Sequence, residues 1–435
     1  MHYSLARATA WNIAGYLYLI VASLISTPIL VHNLGLAQFG EYSLIFAAII
    51  LVSSLNLGLP QAVTRALSRD HEFSPTRQRL WATSSLLFLG TGFVAGVIAV
   101  ILTLWLHLSP LVLLQIFALV LINNLVAHYS TLPQAEGHFG YYNAKTFIVG
   151  TGNTLLAAYL AWIGQGVPAI LTMTLACYLL TLAVLVYFSL KYFPRPRAGS
   201  PSLLVARSLI TFGLKNQAGT LIGQVQSQYG KYLLSGLSAV SLSAYVVAIG
   251  LVQKLAGGVV QVATALYPAS ARSAGDLHLR RTYHFLQCGL FVLALLGVGL
   301  YQLIGLPFLT WWLHSPELVP LVHTIMQILV WYFAVLILSP LSSAILDGHG
   351  RPGLTSLFTF ATATIEIVLA LILFPHYGLF APIYAALVAI AITIPVLLLV
   401  TERVLRGSDL KGSAQPRQYN VRGRSDPEVD VTITS

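Results

Sequence analysis

Glu366 is the acid that sits furthest inside an apolar run, in the segment Ala363-Thr-Ile-Glu-Ile-Val-Leu, and the chain has only thirteen acids. An ionisable group at membrane depth costs several kcal/mol unless it is paired or hydrated. Glu366 is therefore a candidate acceptor for a proton or another cation. The alternative is a protonated or snorkelling Glu bonded to a neighbouring helix. Lys254 is the matching cation, more than a turn inside its own apolar run and on one helical face with Gly250, Gly257, Gln261 and Thr264. It suits a phosphate or an acid, and a structural pair with Glu366 is the competing reading. The segment from Lys215 to Lys231 is the most polar of the apolar stretches. Asn216, Thr220, Gln224, Ser227 or Gln228, and Lys231 recur there every three to four residues, which places them on one helical face. Such a stripe must face protein or water rather than lipid. An amide-lined, hydrated cavity would suit a ligand covered with hydroxyls; helix–helix hydrogen bonding is the plainer explanation. Lys215 and Lys231 could also reach opposite membrane surfaces. Arg65 and Asn12 complete the set of candidate binding residues, with Tyr16 and Tyr18 beside Asn12.

These residues need helices to hold them. Hydrophobic residues make up 57% of the 435 and charged residues 8%, against about 25% charged in soluble domains. A membrane-spanning helix takes about 20 apolar residues. Twelve such spans are expected, at 9–31, 41–60, 81–106, 111–132, 143–163, 168–190, 209–233, 241–267, 283–305, 318–345, 354–374 and 379–400. The class is an all-α polytopic membrane protein. Of the 23 Lys and Arg residues, all but Lys231 and Lys254 fall at one end of this arrangement. By the positive-inside rule that end, with both termini, is cytoplasmic. The net charge of +10 then reflects orientation and contact with membrane lipids rather than nucleic acid. The apolar run at the N-terminus is too long for a cleaved signal peptide.

The expected domains are an N-terminal six-helix lobe (1–190), a basic, Pro-rich cytoplasmic linker (191–207), a C-terminal six-helix lobe (208–400) and a disordered cytoplasmic tail (401–435). The halves look duplicated. Asn12 matches Asn216, Tyr42 matches Tyr245 and Arg69 matches Arg272, at offsets of 203 to 204; Glu136-Gly137-His138 matches Asp347-Gly348-His349 at 211. Both copies enter from the same side, so the repeat is parallel. Pro60 and Pro268 are candidate kinks. Gly92-x-x-x-Gly96 and Gly219-x-x-x-Gly223 read as packing motifs. Trp311 and Trp312, in the longest loop away from the basic end, read as interface anchors. No loop is large enough for a catalytic domain. Neither a metal-ligand spacing nor a P-loop occurs, so no cofactor is expected.

Asn12, Leu34-Gly35-x-x-x-Phe39-Gly40-x-Tyr42-Ser43, Asn56-Leu57-Gly58-Leu59 with Arg65-x-x-Ser68-Arg69, and Gln134-Ala135-Glu136-Gly137 with its echo at Asp347-Gly348 resemble the Wzx-type polysaccharide and O-antigen flippases. The resemblance covers about residues 5–400. It implies the multidrug/oligosaccharidyl-lipid/polysaccharide exporter fold, two lobes working by alternating access. It further implies an undecaprenyl-pyrophosphate-linked oligosaccharide as substrate, the inner membrane as location, and polysaccharide polymerase and chain-length proteins as partners. Cationic cavity residues would hold the pyrophosphate, with Lys254 first and Lys215, Lys231 and Arg65 behind it. A small-molecule antiporter on the same fold is the alternative, and a membrane glycosyltransferase or polymerase is a third.

Overall fold

The computed structural model describes residues 5–68, 75–193, 200–264, 277–413. These residues are helical, with no strand among them. In the N-terminal half the helices are α1 (Leu5–Ser53), α2 (Leu59–Leu67), α3 (Pro75–Thr103), α4 (Pro110–Ala135), α5 (Phe139–Thr151), α6 (Ala157–Trp162) and α7 (Val167–Tyr192). The C-terminal half holds α8 (Leu203–Leu234), α9 (Ala239–Thr264), α10 (Leu277–Leu313), α11 (Leu318–Leu336), α12 (Ser339–Gly348), α13 (Pro352–Tyr377) and α14 (Ala381–Ser413).

Eight stretches of the described residues are long and apolar enough to cross a membrane. Two of these, Ala14–Ser53 and Pro352–Arg406, each contain two passes, folded back at Gly35 and Gly378. Both glycines have positive φ, 73° and 49°, which an L side chain rarely adopts. The remaining two passes miss the length or hydropathy criterion for identifiable reasons. The fifth is divided between α5 and α6 by a π-type turn at Gly152–Leu156, and the seventh, α8, is rich in amides. The twelve expected passes are therefore present. They form two lobes, α1–α7 and α8–α14, around a shared apolar core.

Three local expectations change. The second pass does not kink at Pro60. Its helix ends at Ser53 and restarts at Leu59, with Leu57 and Gly58 at φ 55° and 65°. Pro60 sits in the first turn of the new helix, where a missing N–H costs nothing. Pro268 lies outside the described residues. The expected loop at Trp311 and Trp312 is the end of α10. Trp311 is exposed, whereas Trp312 is buried and donates its indole N–H to the Leu24 carbonyl oxygen of the other lobe at 2.7 Å. The last helix continues to Ser413, beyond residue 400, and within it Glu402 pairs with Arg280 and Arg406 and lies against His284; residues 414–435 lie outside the described set.

The repeat is visible in the backbone, in a register two residues from the sequence match. After α4, His138 N–H bonds to the Pro133 carbonyl at 2.7 Å around Gly137 (φ 75°). After α12, Arg351 N–H bonds to the Leu346 carbonyl at 2.9 Å around Gly350 (φ 73°). The two turns share one geometry, so Gly137 corresponds to Gly350 rather than Gly348. The Asp-Gly-His echo misled because Gly348 is the last residue of α12. Of the other matched pairs, Tyr42 and Tyr245 are both buried, whereas Arg69 and Arg272 lie outside the described residues.

The basic ends of the lobes are tied differently. Arg77, 2% exposed, pairs with Glu136 and stands over the Phe193 ring. Its counterpart Arg280 pairs with Glu402 on α14. Removing one partner of a buried ion pair leaves an uncompensated charge. Arg77→Ala is thus expected to destabilise the N-terminal lobe by ~3–5 kcal/mol, read as a lower melting temperature in detergent. Arg280→Ala, at a half-buried pair, should cost clearly less.

Candidate functional site

The lobes touch at three levels. At the basic end, Gly58 and Gly213 bring backbone against backbone, and a Cβ on Gly213 would be driven into the Leu57 carbonyl. Gln217 donates there to the Ser54 carbonyl, left open where the helix breaks, and the Arg65 guanidinium lies 4.3 Å from the centre of the Phe212 ring. At mid-depth, Tyr16 donates to the Lys254 carbonyl at 2.7 Å, and Gly257 makes room for its ring. At the charge-poor end, Ser243 donates to the Leu36 carbonyl at 3.1 Å, Leu242 packs on Gly40, and Trp312 reaches Leu24. The glycines of the Leu34–Ser43 and Asn56–Leu59 segments are therefore contact and hinge positions.

Lys231 of α8 and Lys254 of α9 lie within electrostatic reach of one another, both half-buried. Neither side chain has an acidic partner among the described residues. Two unneutralised like charges at this depth are unfavourable until an anion joins them. Gln253, next to Lys254, donates to the Ser227 carbonyl at 3.5 Å and Gln224 lies one turn before Ser227 on α8, so this part of the amide stripe borders the lysines. Arg65 is exposed at the basic end and belongs to the lobe contact instead. The side chains of Asn12, Lys215, Asn216 and Gln261 lie outside the described residues.

Glu366 does not pair with Lys254. It is 5% exposed inside the C-terminal lobe, accepts a hydrogen bond from Gln226 Nε2 at 2.6 Å, and has the Tyr229 hydroxyl beside it. Gln226 projects from a different face of α8 than the stripe that includes Gln224 and Lys231, which is why the stripe did not point to it. A cavity of about 260 Å³ adjoins the carboxylate, bordered by Gln226, Ser227, Tyr245, Gln253 and Tyr332. A second cavity, of about 140 Å³, shares Gln226 and Tyr332 with the first and is lined by Thr355, Thr359, Thr362 and Thr393. Sequence reading missed these threonines. Thr355, Thr359, Thr362 and Glu366 recur at intervals of four, three and four, a one-face helical pattern that could have been found. No cluster of three or more His, Cys, Asp or Glu side chains that could hold a metal occurs among the described residues.

Of the small-residue motifs, Gly92 and Gly96 pack on α4, where added methyls would stand 3.0 Å from Asn124 Cβ and 2.7 Å from Phe117. Gly219 faces Ser356 of α13, whereas Gly223 has open space and borders the Glu366 cavity.

The architecture is thus a two-lobed, all-helical membrane fold. The chain belongs to the polysaccharide biosynthesis protein family, whose model matches residues 5–274; a MatE model matches residues 227–372. Among solved structures, the lipid II flippase MurJ in an inward closed conformation superposes with a TM-score of 0.69 at 11% identity, covering 93% of this chain and 91% of that one. An inward-facing multidrug resistance MATE transporter superposes at 0.63 and 16% identity, covering 92% and 96%. A mutant of the Vibrio cholerae MATE transporter VcmN does so at 0.62 and 14%, covering 93% and 97%. At such identities the likeness establishes the fold. No curated protein matches the chain significantly.

Proposed function

We propose that the chain is a flippase that moves an undecaprenyl-pyrophosphate-linked oligosaccharide from the cytoplasmic to the outer leaflet of the inner membrane, for surface polysaccharide such as O-antigen or exopolysaccharide. The observation that carries this reading is the unneutralised Lys231–Lys254 pair beside the inter-lobe contact. A pyrophosphate would supply the missing negative charge, and the neighbouring amides would meet sugar hydroxyls. A sugar headgroup cannot enter hydrocarbon without losing kcal/mol per unmatched hydroxyl. A polar cleft between lobes removes that barrier while the lipid chain stays in the bilayer. The lobes then alternate between openings at the two ends. The basic end and both termini face the cytoplasm in this reading, and the protein works as a transporter rather than an enzyme. Residues 1–190 and 208–400 act as the two moving bodies, joined by the 191–207 linker. Polymerase and chain-length proteins would take the product on the far side.

The MatE match over residues 227–372 favours a second reading, a cation-coupled drug antiporter. The two lysines argue against it, since cationic drugs would be repelled. The deciding experiment measures translocation of lipid-linked oligosaccharide in proteoliposomes. Lys254→Ala combined with Lys231→Ala is expected to lower it at least ~100-fold, each charge-assisted bond being worth ~1.5–3 kcal/mol. Lys254→Arg should keep more activity than Lys254→Ala, although the two cations differ in geometry. Wild-type translocation in the double alanine variant at matched expression would remove the pair from the site.

A further inference from the structure

Glu366 borders the larger of the two cavities, and the smaller one, in the same lobe, shares Gln226 and Tyr332 with it. The smaller one begins near the basic end. Thr355 is three residues into α13, and Ser339 and Ser343 belong to α12, which ends at the same level. From Thr355 to Glu366 is eleven residues, ~16 Å along a helix. The intervening positions on that face are Thr359 and Thr362, with Thr393 of α14 opposite. Thr355 donates to Asp347 Oδ1 at 2.7 Å and Thr362 donates to Thr393 Oγ1 at 2.8 Å. Hydroxyls on a membrane helix more often bond only to their own backbone. Here Thr355 and Thr362 have side-chain partners, while Thr359 and Thr393 donate to carbonyls of their own helices, and all four line a cavity that runs from near Asp347 to Gln226, the donor to the buried carboxylate. The larger cavity continues on the α9 side to Gln253, one residue from Lys254.

We propose that this cavity is a hydrated proton path, reaching Glu366 from the basic end through the interior of the C-terminal lobe and leaving it on the α9 side toward the lysine pair. With the Gln226 amide turned off the carboxylate, a hydronium in the smaller cavity gives its proton to a Glu366 carboxylate oxygen, which becomes a carboxylic acid and leaves water behind. The reverse transfer passes the proton to water in the larger cavity. Gln226, bonded to the carboxylate and bordering both cavities, separates the two transfers. The titratable groups facing Glu366 are Tyr229 of α8, Tyr245 of α9 and Tyr332 of α11. The residues lining both cavities include no Lys, Arg or His, so nothing in them repels a proton. The site suits a proton better than a metal ion: it offers one carboxylate whose neighbours are an amide N–H and hydroxyls, short of the several oxygens a hard cation collects. This inference deepens the coupling role expected of Glu366, but its test does not rely on transport.

The test places single cysteines in the full-length protein with Cys177 and Cys288 replaced by serine, reconstituted in vesicles of known orientation. A small cationic methanethiosulfonate reagent is added on the basic side. Thr359→Cys is expected to react at least ~10-fold faster than Val368→Cys, which is exposed on the outer surface of the same helix. Independently, modification of Glu366 by a carbodiimide, which attacks the protonated carboxyl, is followed by mass spectrometry after a pH drop on the basic side. Combined Thr359→Val and Thr362→Val should slow it at least ~5-fold, and Thr362→Ser should not, because water in a narrow path needs hydroxyl partners. Equal labelling of Thr359→Cys and Val368→Cys, or an unchanged carbodiimide rate in the double valine variant, would overturn the path. If the path passes both measurements while Glu366→Gln still transports with the gradient, the path stands and the coupling role fails.

Discussion

Gly213→Val is expected to cut translocation by about two orders of magnitude while leaving both lobes folded. The reason is local. Gly213 meets the Leu57–Gly58 backbone, and neither side of that contact is a side chain that could rotate away. Overpacking typically costs ~1–3 kcal/mol, and backbone against backbone belongs at the upper end. A cost of ~3 kcal/mol shifts the equilibrium away from basic-end closure by over 100-fold. A transporter that cannot close one end cannot open the other, so turnover follows. Within α8 itself the added side chain meets only neighbouring turns, so thermal stability in detergent should change little. The check pairs proteoliposome translocation with labelling of Gln217→Cys, a position buried in this contact, from the basic side, which should speed up in the Gly213→Val background as the lobes part. Gly213→Ala should be intermediate. Unchanged labelling and turnover would mean that Gly58 and Gly213 separate in the states that limit the cycle. Gly58 is the harder position to vary, because its φ of 65° strains any side chain even without the collision.

The second large effect concerns Glu366→Gln. The amide keeps the size and can still accept from Gln226, but it cannot take up a proton. If the gradient acts through this residue, translocation driven by an imposed proton gradient should fall at least ~10-fold, to the rate seen without one, as for other intramembrane acids in proton relays. Binding of lipid-linked oligosaccharide should persist, because Lys231 and Lys254 do not contact the carboxylate. Vesicles with and without the gradient give the comparison. A Glu366→Gln protein that responds like wild type would make Glu366 structural and leave product consumption as the driving force.

Much of this architecture was readable because lipid imposes simple rules. Apolar length marks a helix, and the polar breaks between apolar runs mark where one pass ends and the next begins. Even the two passes that fail the length or hydropathy criterion, α8 and the α5–α6 pair, stood out as apolar runs at 209–233 and 143–163. Pairings were harder to read. Glu366 was picked out as a deep acid, and a hydrogen bond to a neighbouring helix was among its readings, but which side chain would make that bond was not legible and Lys254 was the one partner that charge suggested. The partner is Gln226, since α8 carries polar residues on more than one face and a one-face stripe discards the others. The same limit explains the turn register. Asp347-Gly348-His349 copies the residues of Glu136-Gly137-His138, but positive φ falls at Gly137 and Gly350, and only backbone geometry distinguishes a helical glycine from a turn glycine. Arg65, read as a cavity cation, is drawn instead to the Phe212 ring of the facing lobe, a contact that one sequence cannot announce.

The length of α10 has a consequence for the surrounding bilayer. Its apolar stretch, Arg280–Leu313, is 34 residues with only 17% of its most apolar window buried by protein, the smallest share of the eight. At 1.5 Å per residue it is ~51 Å long, against ~30 Å of hydrocarbon and ~40–45 Å including headgroups. Even at a tilt of 40°, near the upper limit for membrane helices, it projects ~39 Å along the membrane normal. The helix is therefore long enough to cross the hydrocarbon with a tilt and to reach into the headgroups. In the proposed cycle, rocking of the C-terminal lobe changes the tilt of α10, so hydrophobic mismatch enters the conformational equilibrium. Thicker membranes favour the state in which α10 stands more upright, and thinner ones favour the state in which it lies flatter. Acyl-chain length thus becomes a physical variable that sets how long the transporter spends in each half of its cycle.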